Sequence, residues 1–307
     1  MDRLFMLGLL LTSLLFVSSS LAKFWWPFEL ATHFQIQYLV AFTILFIIFF
    51  LQKKYGSTGI ALLFALVALS NVTPYLSLTH PVSAEDDASA SLRVMFFNIK
   101  ETNTNALKIV QTIKNENPDV LILAESYYLY PQITELLAEK YPYTKIITSP
   151  SLKSFDLSYF SKQDLQFKEH YLTSEKLPVI EFELIQEGEP LHIFGVHTRN
   201  PIGSYSFHGR NDELQELVAI IPRSSAIVMG DFNSTIWSPY LGDFAASANL
   251  HDARLGKGLL PSWNSVLPNP FRIPIDQAFT SHNLTVSSLH TASPSGSDHL
   301  PIIIDID

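Results

Sequence analysis

Acidic, amide and imidazole side chains recur where short apolar runs of the sequence end. Asn98 follows Val-Met-Phe-Phe, and Glu125 follows Val-Leu-Ile-Leu-Ala. A carboxylate at the end of a buried strand is costly unless it is paired or binds a cation. One such residue would indicate no more than a cap or a turn, whereas a repeated pattern favours one shared site. The candidate site residues are Asn98, Glu125, His197, Asp231, Asn233, Asp276, Asp298 and His299.

Two short segments that contain these candidate residues have spacings that suit acid–base chemistry. In Gly230-Asp231-Phe232-Asn233 the glycine permits a tight turn, and the aspartate and asparagine are two positions apart, so both can face the same way. In Asp298-His299 a carboxylate adjoins an imidazole, which can relay a proton or bind a phosphate.

These residues must be positioned by strands and helices, which the pattern of apolar residues predicts. Residues 93–98 and 119–125 are typical of buried strands, and residues 102–117 have the apolar spacing of an amphipathic helix. Other helices are predicted over 133–141, 212–221 and 240–248, and other strands over 156–161, 179–184, 191–196, 226–229, 275–280, 284–290 and 300–305. Strands dominate, which predicts a mixed α/β domain with a large sheet component.

Composition limits the classes of protein to which the chain can belong. Of its 307 residues, 47% are hydrophobic, and the apolar excess lies in the first 80. Cysteine is absent, which excludes zinc–thiolate sites and cysteine nucleophiles. The net charge is −9, and from Arg93 onward 24 Asp and Glu outnumber 16 Lys and Arg. An extended basic face for nucleic acid is therefore not expected, although a bound cation can neutralise an acidic site for a phosphate.

Three uncharged apolar stretches occupy residues 4–22, 35–51 and 60–76. Each is about 17–20 residues long, close to what a bilayer requires. We predict three transmembrane helices in a membrane region over residues 1–79, followed by a polar linker over 80–91. The first stretch alternatively resembles a cleaved signal peptide, because Ser20-Leu21-Ala22 has the small residues of a cleavage site.

Basic residues predict the orientation of these helices. Lys53 and Lys54 indicate that the loop between the second and third stretches is cytoplasmic, and Arg3 agrees. Everything after Leu76 would then lie outside the cytoplasmic (inner) membrane, whether or not the first stretch is cleaved.

The motifs, taken in order, resemble those of the endonuclease/exonuclease/phosphatase superfamily, which has the deoxyribonuclease I-like fold. The matching segments are Arg93–Asn98, Pro118–Glu125, Gly195–His197, Gly230–Asn233, Ile275–Asp276 and Gly296–His299. The resemblance covers residues 92–307, and Trp237-Ser238-Pro239 and the leading apolar stretches are similar to a bacterial membrane-anchored subgroup. It implies an α/β fold: a four-layer sandwich of two mixed β-sheets flanked by helices, with the site at one edge.

The resemblance also implies a metal and a phosphate site. Glu125 would bind Mg²⁺, or alternatively Mn²⁺, with help from Asp298. Asn98 is also a candidate metal-binding residue. Asn98 and Asn233 would contact the metal-bound or transferring phosphate, and His197 would also bind the substrate.

The remaining roles that the resemblance implies concern proton transfer. Asp231 would position or deprotonate the attacking water. His299, oriented by Asp276, and His197 would contact the phosphate, stabilise developing charge and supply protons. Phosphoryl transfer depends on positioning and charge neutralisation more than on covalent chemistry.

Some residues depart from the family pattern or have no clear place in it. Gln277 stands where the subgroup often has histidine, and Thr198–Pro201 is an altered loop, so both are expected to change substrate contacts. Asp156 is a candidate for orienting His197. Arg210 opens a predicted helix and could face either the phosphate or solvent.

The sequence therefore predicts a membrane-anchored, Mg²⁺-dependent phosphoester hydrolase with no inferred protein partner. Nucleic acid and lipid or small phosphodiesters remain alternative substrates. The acidic domain argues mildly against non-specific DNA binding, in which phosphate neutralisation dominates. The alternative function is a catalytically silent membrane protein that uses the same fold as a binding module.

Overall fold

The computed structural model describes residues 2–76, 92–152, 154–186 and 188–307, so the predicted linker over 80–91 lies outside the described residues. Its N-terminal part contains α1 (Asp2–Ser18), α2 (Trp26–Leu30), α3 (Gln35–Leu51) and α4 (Tyr55–Val72). Short 3-10 turns extend these helices into three runs, Asp2–Leu21, Trp26–Leu51 and Tyr55–Tyr75, each long and apolar enough to cross a membrane. The second run begins at Trp26, earlier than the predicted residue 35. The segment Trp26–Phe34 is helical, but it is not uniformly apolar, and so the apolar pattern did not include it.

Two six-stranded sheets make up most of the remaining chain. Sheet one contains β1 (Leu92–Asn98), β2 (Val120–Ala124), β3 (Tyr143–Thr148), β4 (Asp156–Ser161), β11 (Val286–Thr291) and β12 (Ile302–Ile306), in the order β11-β12-β1-β2-β4-β3. Sheet two contains β5 (Gln166–Leu172), β6 (Leu177–Gln186), β7 (Glu189–His197), β8 (Ser225–Asp231), β9 (Leu250–Asp252) and β10 (Asp276–Ser281), in the order β5-β6-β7-β8-β10-β9.

Helices cover the outer faces of both sheets. They are α5 (Ala106–Glu116) and α6 (Tyr130–Leu137) on sheet one, and α7 (Ser204–Ile220) and α8 (Pro239–Ser247) on sheet two. In β1, Val94 and Phe96 enter the core between the sheets, whereas Met95 and Phe97 pack under α5 and α6. Burial on both faces explains the continuous apolar run of this strand. The predicted four-layer α/β sandwich is confirmed.

Some elements differ from the prediction. α7 begins at Ser204, whereas the predicted helix begins at residue 212. The prediction missed the first turns because the charged residues Arg210 and Glu213 interrupt the apolar pattern, although both are buried in the structure. Strands β3, β5 and β9 were not predicted. All three are edge strands, and the exposed or half-buried positions that β3 and β5 contain give them no continuous apolar run.

Candidate active site

Strand pairing places three predicted residues in one row across sheet two. β7 and β8 are parallel and pair His197 with Asp231, and the antiparallel β10 pairs Asp276 with the same aspartate. The three side chains are buried. The row is a consequence of register, since each residue is the last or first of its strand.

Sheet one brings a second pair of residues to the same place. β1 and β2 are parallel and pair Asn98 with Ala124, so Glu125 lies one residue beyond the pair. Asn98 Nδ2 donates to Glu125 Oε1 at 2.9 Å and to Asp231 Oδ2 at 3.0 Å, which links the two sheets directly. The other carboxylate oxygen, Glu125 Oε2, accepts the Glu101 main-chain N–H at 2.9 Å.

Two imidazoles flank the carboxylate of Asp231. His299 Nε2 lies 3.6 Å and His197 Nε2 lies 3.8 Å from Asp231 Oδ2. His197 Nε2 is also 3.8 Å from Glu125 Oε1. On its other side, His299 Nδ1 is hydrogen bonded to Asp276, at 2.9 Å from Oδ2 and 3.1 Å from Oδ1. Asp276 therefore fixes the ring of His299 with Nε2 towards Asp231.

Burial and neighbouring charges set the protonation of this cluster. Burial raises the pKa of Asp231 to about 6, against the opposing effect of the nearby His299. Burial alone would lower the pKa of His299, but the carboxylates of Asp276 and Asp231 outweigh it and raise that pKa to about 10. At neutral pH His299 is therefore an imidazolium, and Asp231 is a carboxylate able to accept a proton close to neutrality.

The turn after β8 is held in an unusual backbone conformation. Asn233 has a left-handed φ of 49°, and its N–H donates to Asp231 Oδ1 at 2.8 Å. Its Nδ2 donates to the Thr198 carbonyl oxygen at 2.9 Å, so its side-chain oxygen stays available. Glu125 and Lys100 also have positive φ values, 55° and 66°. Such conformations persist only where the surrounding structure enforces them, and they concentrate at functional sites.

The turn Gly296–His299 is tied to the end of β1. Ser297 Oγ donates to the Asn98 carbonyl oxygen at 2.7 Å and accepts the His299 N–H at 3.0 Å. Asp298 Oδ2 lies 3.4 Å from both Lys100 Nζ and Trp263 Nε1. Lys100 was not among the predicted site residues, and its position two residues after the end of β1 is the signal that could have suggested it.

Asp156 and His197 are both buried, and no hydrogen bond joins these two described residues. Asp156 Oδ1 accepts from the Ser126 N–H at 2.8 Å and from Ser126 Oγ at 2.6 Å. Asp156 Oδ2 and His197 Nδ1 have no partner among the described residues. The ring of Phe155 stacks on that of His197 at 4.8 Å between centroids. No carboxylate of the described residues therefore holds Nδ1 of His197, and the ring is positioned by stacking on Phe155 and by the carboxylates near Nε2.

Three residues that could have contacted substrate are engaged elsewhere. Gln277 is fully buried, donates to the Ser234 and Pro274 carbonyl oxygens, and accepts from Arg254, so it supports the fold. Arg199, in the altered loop, is buried and pairs with Glu213 and Glu175. Arg210 faces neither phosphate nor solvent, since its guanidinium is fully buried against Glu29.

Two described groups of His, Asp and Glu side chains come close enough together to hold an ion. One is Asp231, Asp276 and His299. All three of its side chains are buried. The other group, on β6 and β7, is Glu181, Glu183 and His192. Glu125 belongs to neither group, but its side chain is 24% exposed and so is accessible from solvent.

Two mixed sheets pack face to face, with carboxylates, amides and imidazoles at a common edge, so the fold belongs to the class of two-sheet α/β sandwiches. The chain belongs to the Endonuclease/Exonuclease/phosphatase family, whose family model matches residues 95–299. Membership of this family indicates phosphoester hydrolase activity. No curated protein matches the chain.

Solved structures share the fold at low sequence identity. The endonuclease/exonuclease/phosphatase from Beutenbergia cavernae is 18% identical with a TM-score of 0.58, and the match covers 71% of each chain. Sphingomyelinase C from Streptomyces griseocarneus is 16% identical with a TM-score of 0.53, over 70% of this chain and 99% of that one. The human Nocturnin catalytic domain, solved with a bound sulfate anion, is 20% identical with a TM-score of 0.54, over 70% and 94%.

Proposed function

We propose that the protein is a membrane-anchored, Mg²⁺-dependent hydrolase of phosphodiesters. The observation that carries the proposal is the meeting of two sheets at Asp231, where two imidazoles and the Asn98–Glu125 pair surround one carboxylate. A relative of the same fold, human Nocturnin, was solved with a sulfate anion, which has the tetrahedral shape and charge of a phosphate. Cationic and amide donors beside a carboxylate of raised pKa suit attack by water on such a group.

Glu125 is the residue that we assign to the cation, with Asp298 as a second carboxylate. Mg²⁺ is commonly bound by one or two carboxylates, with waters and substrate phosphate completing the octahedron. When bound, the cation would neutralise phosphate charge and polarise the phosphorus–oxygen bonds. Asn98 directs its Nδ2 to Glu125, while its Oδ1 accepts the Lys100 N–H at 3.0 Å. We therefore assign two roles to Asn98: it holds Glu125 in place, and it contacts the cation and the phosphate.

The other side chains divide the proton transfer and the stabilisation of charge. Asp231 orients the attacking water and accepts its proton, since its carboxylate is at the focus of the site. His299, kept charged by Asp276, stabilises the developing negative charge on the phosphate. His197 and Asn233 contact the phosphate from the adjoining strand ends.

The length and apolar composition of the three helical runs support membrane anchoring, and their contacts with the domain indicate which end of them faces it. Trp237 Nε1 donates to the Asn71 carbonyl oxygen at 2.9 Å, and the Gly256 N–H donates to the Pro74 carbonyl oxygen at 3.0 Å. Both acceptors lie at the end of the third run. Lys54 pairs with Asp2 at 2.8 Å, at the opposite end of the helices. Basic residues favour the cytoplasmic side. The domain is therefore proposed to lie on the extracytoplasmic side of the inner membrane.

The test is a substrate panel with the full chain purified in detergent. We expect Mg²⁺-dependent release of p-nitrophenolate from bis-p-nitrophenyl phosphate, abolished by EDTA. Parallel assays of plasmid nicking and of headgroup release from phospholipid vesicles distinguish the substrate classes. A folded chain that is inert across the panel would reject the enzyme and favour the silent binding module. A reporter fused after Asp307 tests the side of the membrane, and activity of a cytoplasmic reporter would overturn the orientation.

A further inference from the structure

A carboxylate in the second apolar helical run is buried against the domain. Glu29 is fully buried, and both of its oxygens accept from Arg210 Nη2 at 2.7 Å. Glu29 Oε1 also accepts from Ser238 Oγ at 2.6 Å and from Ser234 Oγ at 3.1 Å. Arg210 is equally buried, so the ion pair is shielded from water on both sides. One N-terminal side chain thus binds three domain residues that are distant in sequence.

His33, one helical turn further along, contacts the same loop. His33 Nδ1 lies 3.0 Å from Thr235 Oγ1 and accepts the Thr235 N–H at 3.4 Å. His33 and Thr235 are both buried. Two side chains of the helical run therefore bind the segment that follows Asn233, at Ser234, Thr235 and Ser238.

The length of the helical run accounts for the position of Glu29. Trp26–Leu51 contains 26 residues. At about 1.5 Å per residue such a helix is about 39 Å long, which exceeds the roughly 30 Å of bilayer hydrocarbon. In a run of this length that crosses a bilayer, the first turns, which contain Glu29 and His33, would extend beyond the hydrocarbon, and in the structure they contact the domain. A charge in this position is stabilised by its ion pair and hydrogen bonds rather than exposed to lipid.

The loop that Glu29 contacts is the one that carries two proposed catalytic residues. Asp231 ends β8, and Asn233 adopts the left-handed φ of 49° directly before Ser234. On the opposite side, the Ser234 carbonyl oxygen accepts Gln277 Nε2 at 2.6 Å. The loop is thus held between Gln277, next to Asp276, and Glu29. A strained residue keeps its conformation only when its neighbours are fixed in this way.

We propose that Glu29 is a positioning residue for the active site, acting through Ser234 and Ser238 on the loop that carries Asp231 and Asn233. The N-terminal segment then supports the catalytic geometry and does more than tether the domain. This inference rests on the proposed function, because its catalytic readout, kcat, requires an active enzyme. Its structural readout, hydrogen exchange in the loop, depends only on the hydrogen bonds of that loop.

The experiment compares Glu29→Ala and Glu29→Gln with the wild-type full chain in detergent. Displacement of catalytic groups by about 1 Å can cost about 100-fold in rate. We expect Glu29→Ala to lower kcat at least tenfold with little change in KM. Glu29→Gln, which keeps an oxygen acceptor for the serines, should recover part of this loss. The matched control is Lys23→Ala, which breaks the exposed ion pair with Asp243, at 2.5 Å, between the same two parts of the chain. Its kcat should stay within twofold of wild type.

Hydrogen–deuterium exchange provides a readout that does not depend on activity. We expect Glu29→Ala to accelerate exchange in residues 231–238 and to leave α5, on the other sheet, unchanged. If the wild-type chain is inactive, the proposed function fails, and exchange in this loop still decides the role of Glu29. If the wild-type chain is active, wild-type kcat together with unchanged loop exchange in Glu29→Ala would overturn the inference.

A second variant covers the case in which Glu29→Ala does not fold. Removing one partner of a buried ion pair is strongly destabilising, whereas replacing both partners by apolar side chains of similar volume is often neutral. Glu29→Met combined with Arg210→Met should therefore fold. Because Ser234 and Ser238 still lack their acceptor, a low kcat in the folded double variant supports positioning. A wild-type kcat in that variant contradicts it.

Discussion

Replacing Asp231 with asparagine tests the centre of the proposed mechanism. Each carboxylate oxygen of Asp231 has its own donor: Oδ1 accepts the Asn233 N–H at 2.8 Å, and Oδ2 accepts Asn98 Nδ2 at 3.0 Å. Asparagine has nearly the same shape but only one oxygen. One of the two donors must therefore face an amide NH₂ group, and the negative charge between the two imidazoles is lost.

The sizes of the two effects separate catalysis from folding. A buried donor without an acceptor costs about 1–3 kcal/mol, less than the roughly 5–15 kcal/mol by which domains are stable. Asp231→Asn should therefore remain folded. Loss of a general base typically lowers the rate by about 10²–10⁴-fold. We accordingly expect kcat to fall by at least about 100-fold in a protein whose unfolding midpoint is only slightly lower.

The assay is hydrolysis of bis-p-nitrophenyl phosphate with saturating Mg²⁺, together with thermal unfolding of the same preparation. Asp243→Asn is the control, because it makes the same chemical change at an exposed carboxylate on α8, with 61% of the side chain exposed. The control should retain wild-type kcat. If Asp231→Asn retained kcat within threefold of wild type while folded, the assignment of Asp231 as the base would be refuted.

Three further variants and one control have expected results. Asp276→Asn should lower the pKa of His299 from about 10, because the carboxylate of Asp276 opposes the effect of burial on that pKa. The basic limb of the kcat/KM profile should therefore move to lower pH. An unmoved limb would show that His299 does not titrate in catalysis. Glu125→Gln should raise the Mg²⁺ concentration needed for half-maximal rate, and an unchanged requirement would place the cation elsewhere. Gly230→Ala would set a Cβ against a main-chain oxygen of β7 and should destabilise the fold by about 3 kcal/mol, measured as a lower unfolding midpoint. Gly242→Ala, with nothing within 4 Å, should leave the midpoint unchanged or higher.

Much of the fold could be predicted from local pattern. The buried strands β1 and β2 are continuous apolar runs because both faces of sheet one are covered, and such runs are visible without any knowledge of neighbours. The edge strands β3 and β5 were missed because they include exposed or half-buried positions that break the run. α7 was placed too late because Arg210 appears in the sequence as a polar surface residue, whereas its charge is matched by a partner 181 residues away.

The polar residues at strand ends were also visible in the sequence, because a strand that stops at a carboxylate, amide or imidazole is a local feature. Asn98, Glu125 and Asp231 could be named in this way. That Asn98 Nδ2 joins the other two is a tertiary fact, since it depends on two sheets facing each other with their strand ends at the same edge.

The sequence by itself determined the apolar helices, the buried strands and the types of residue that could do chemistry, because each of these depends on neighbours within a few positions. Only the tertiary structure decided that His299 is hydrogen bonded to Asp276, that the Glu125 side chain stays partly exposed, and that Glu29 and His33 contact the loop after β8. The hydrogen bonds that the Glu29 carboxylate accepts from described side chains come from residues far along the chain. The function of Glu29 follows from Arg210, Ser234 and Ser238, which the folding of the domain brings to it.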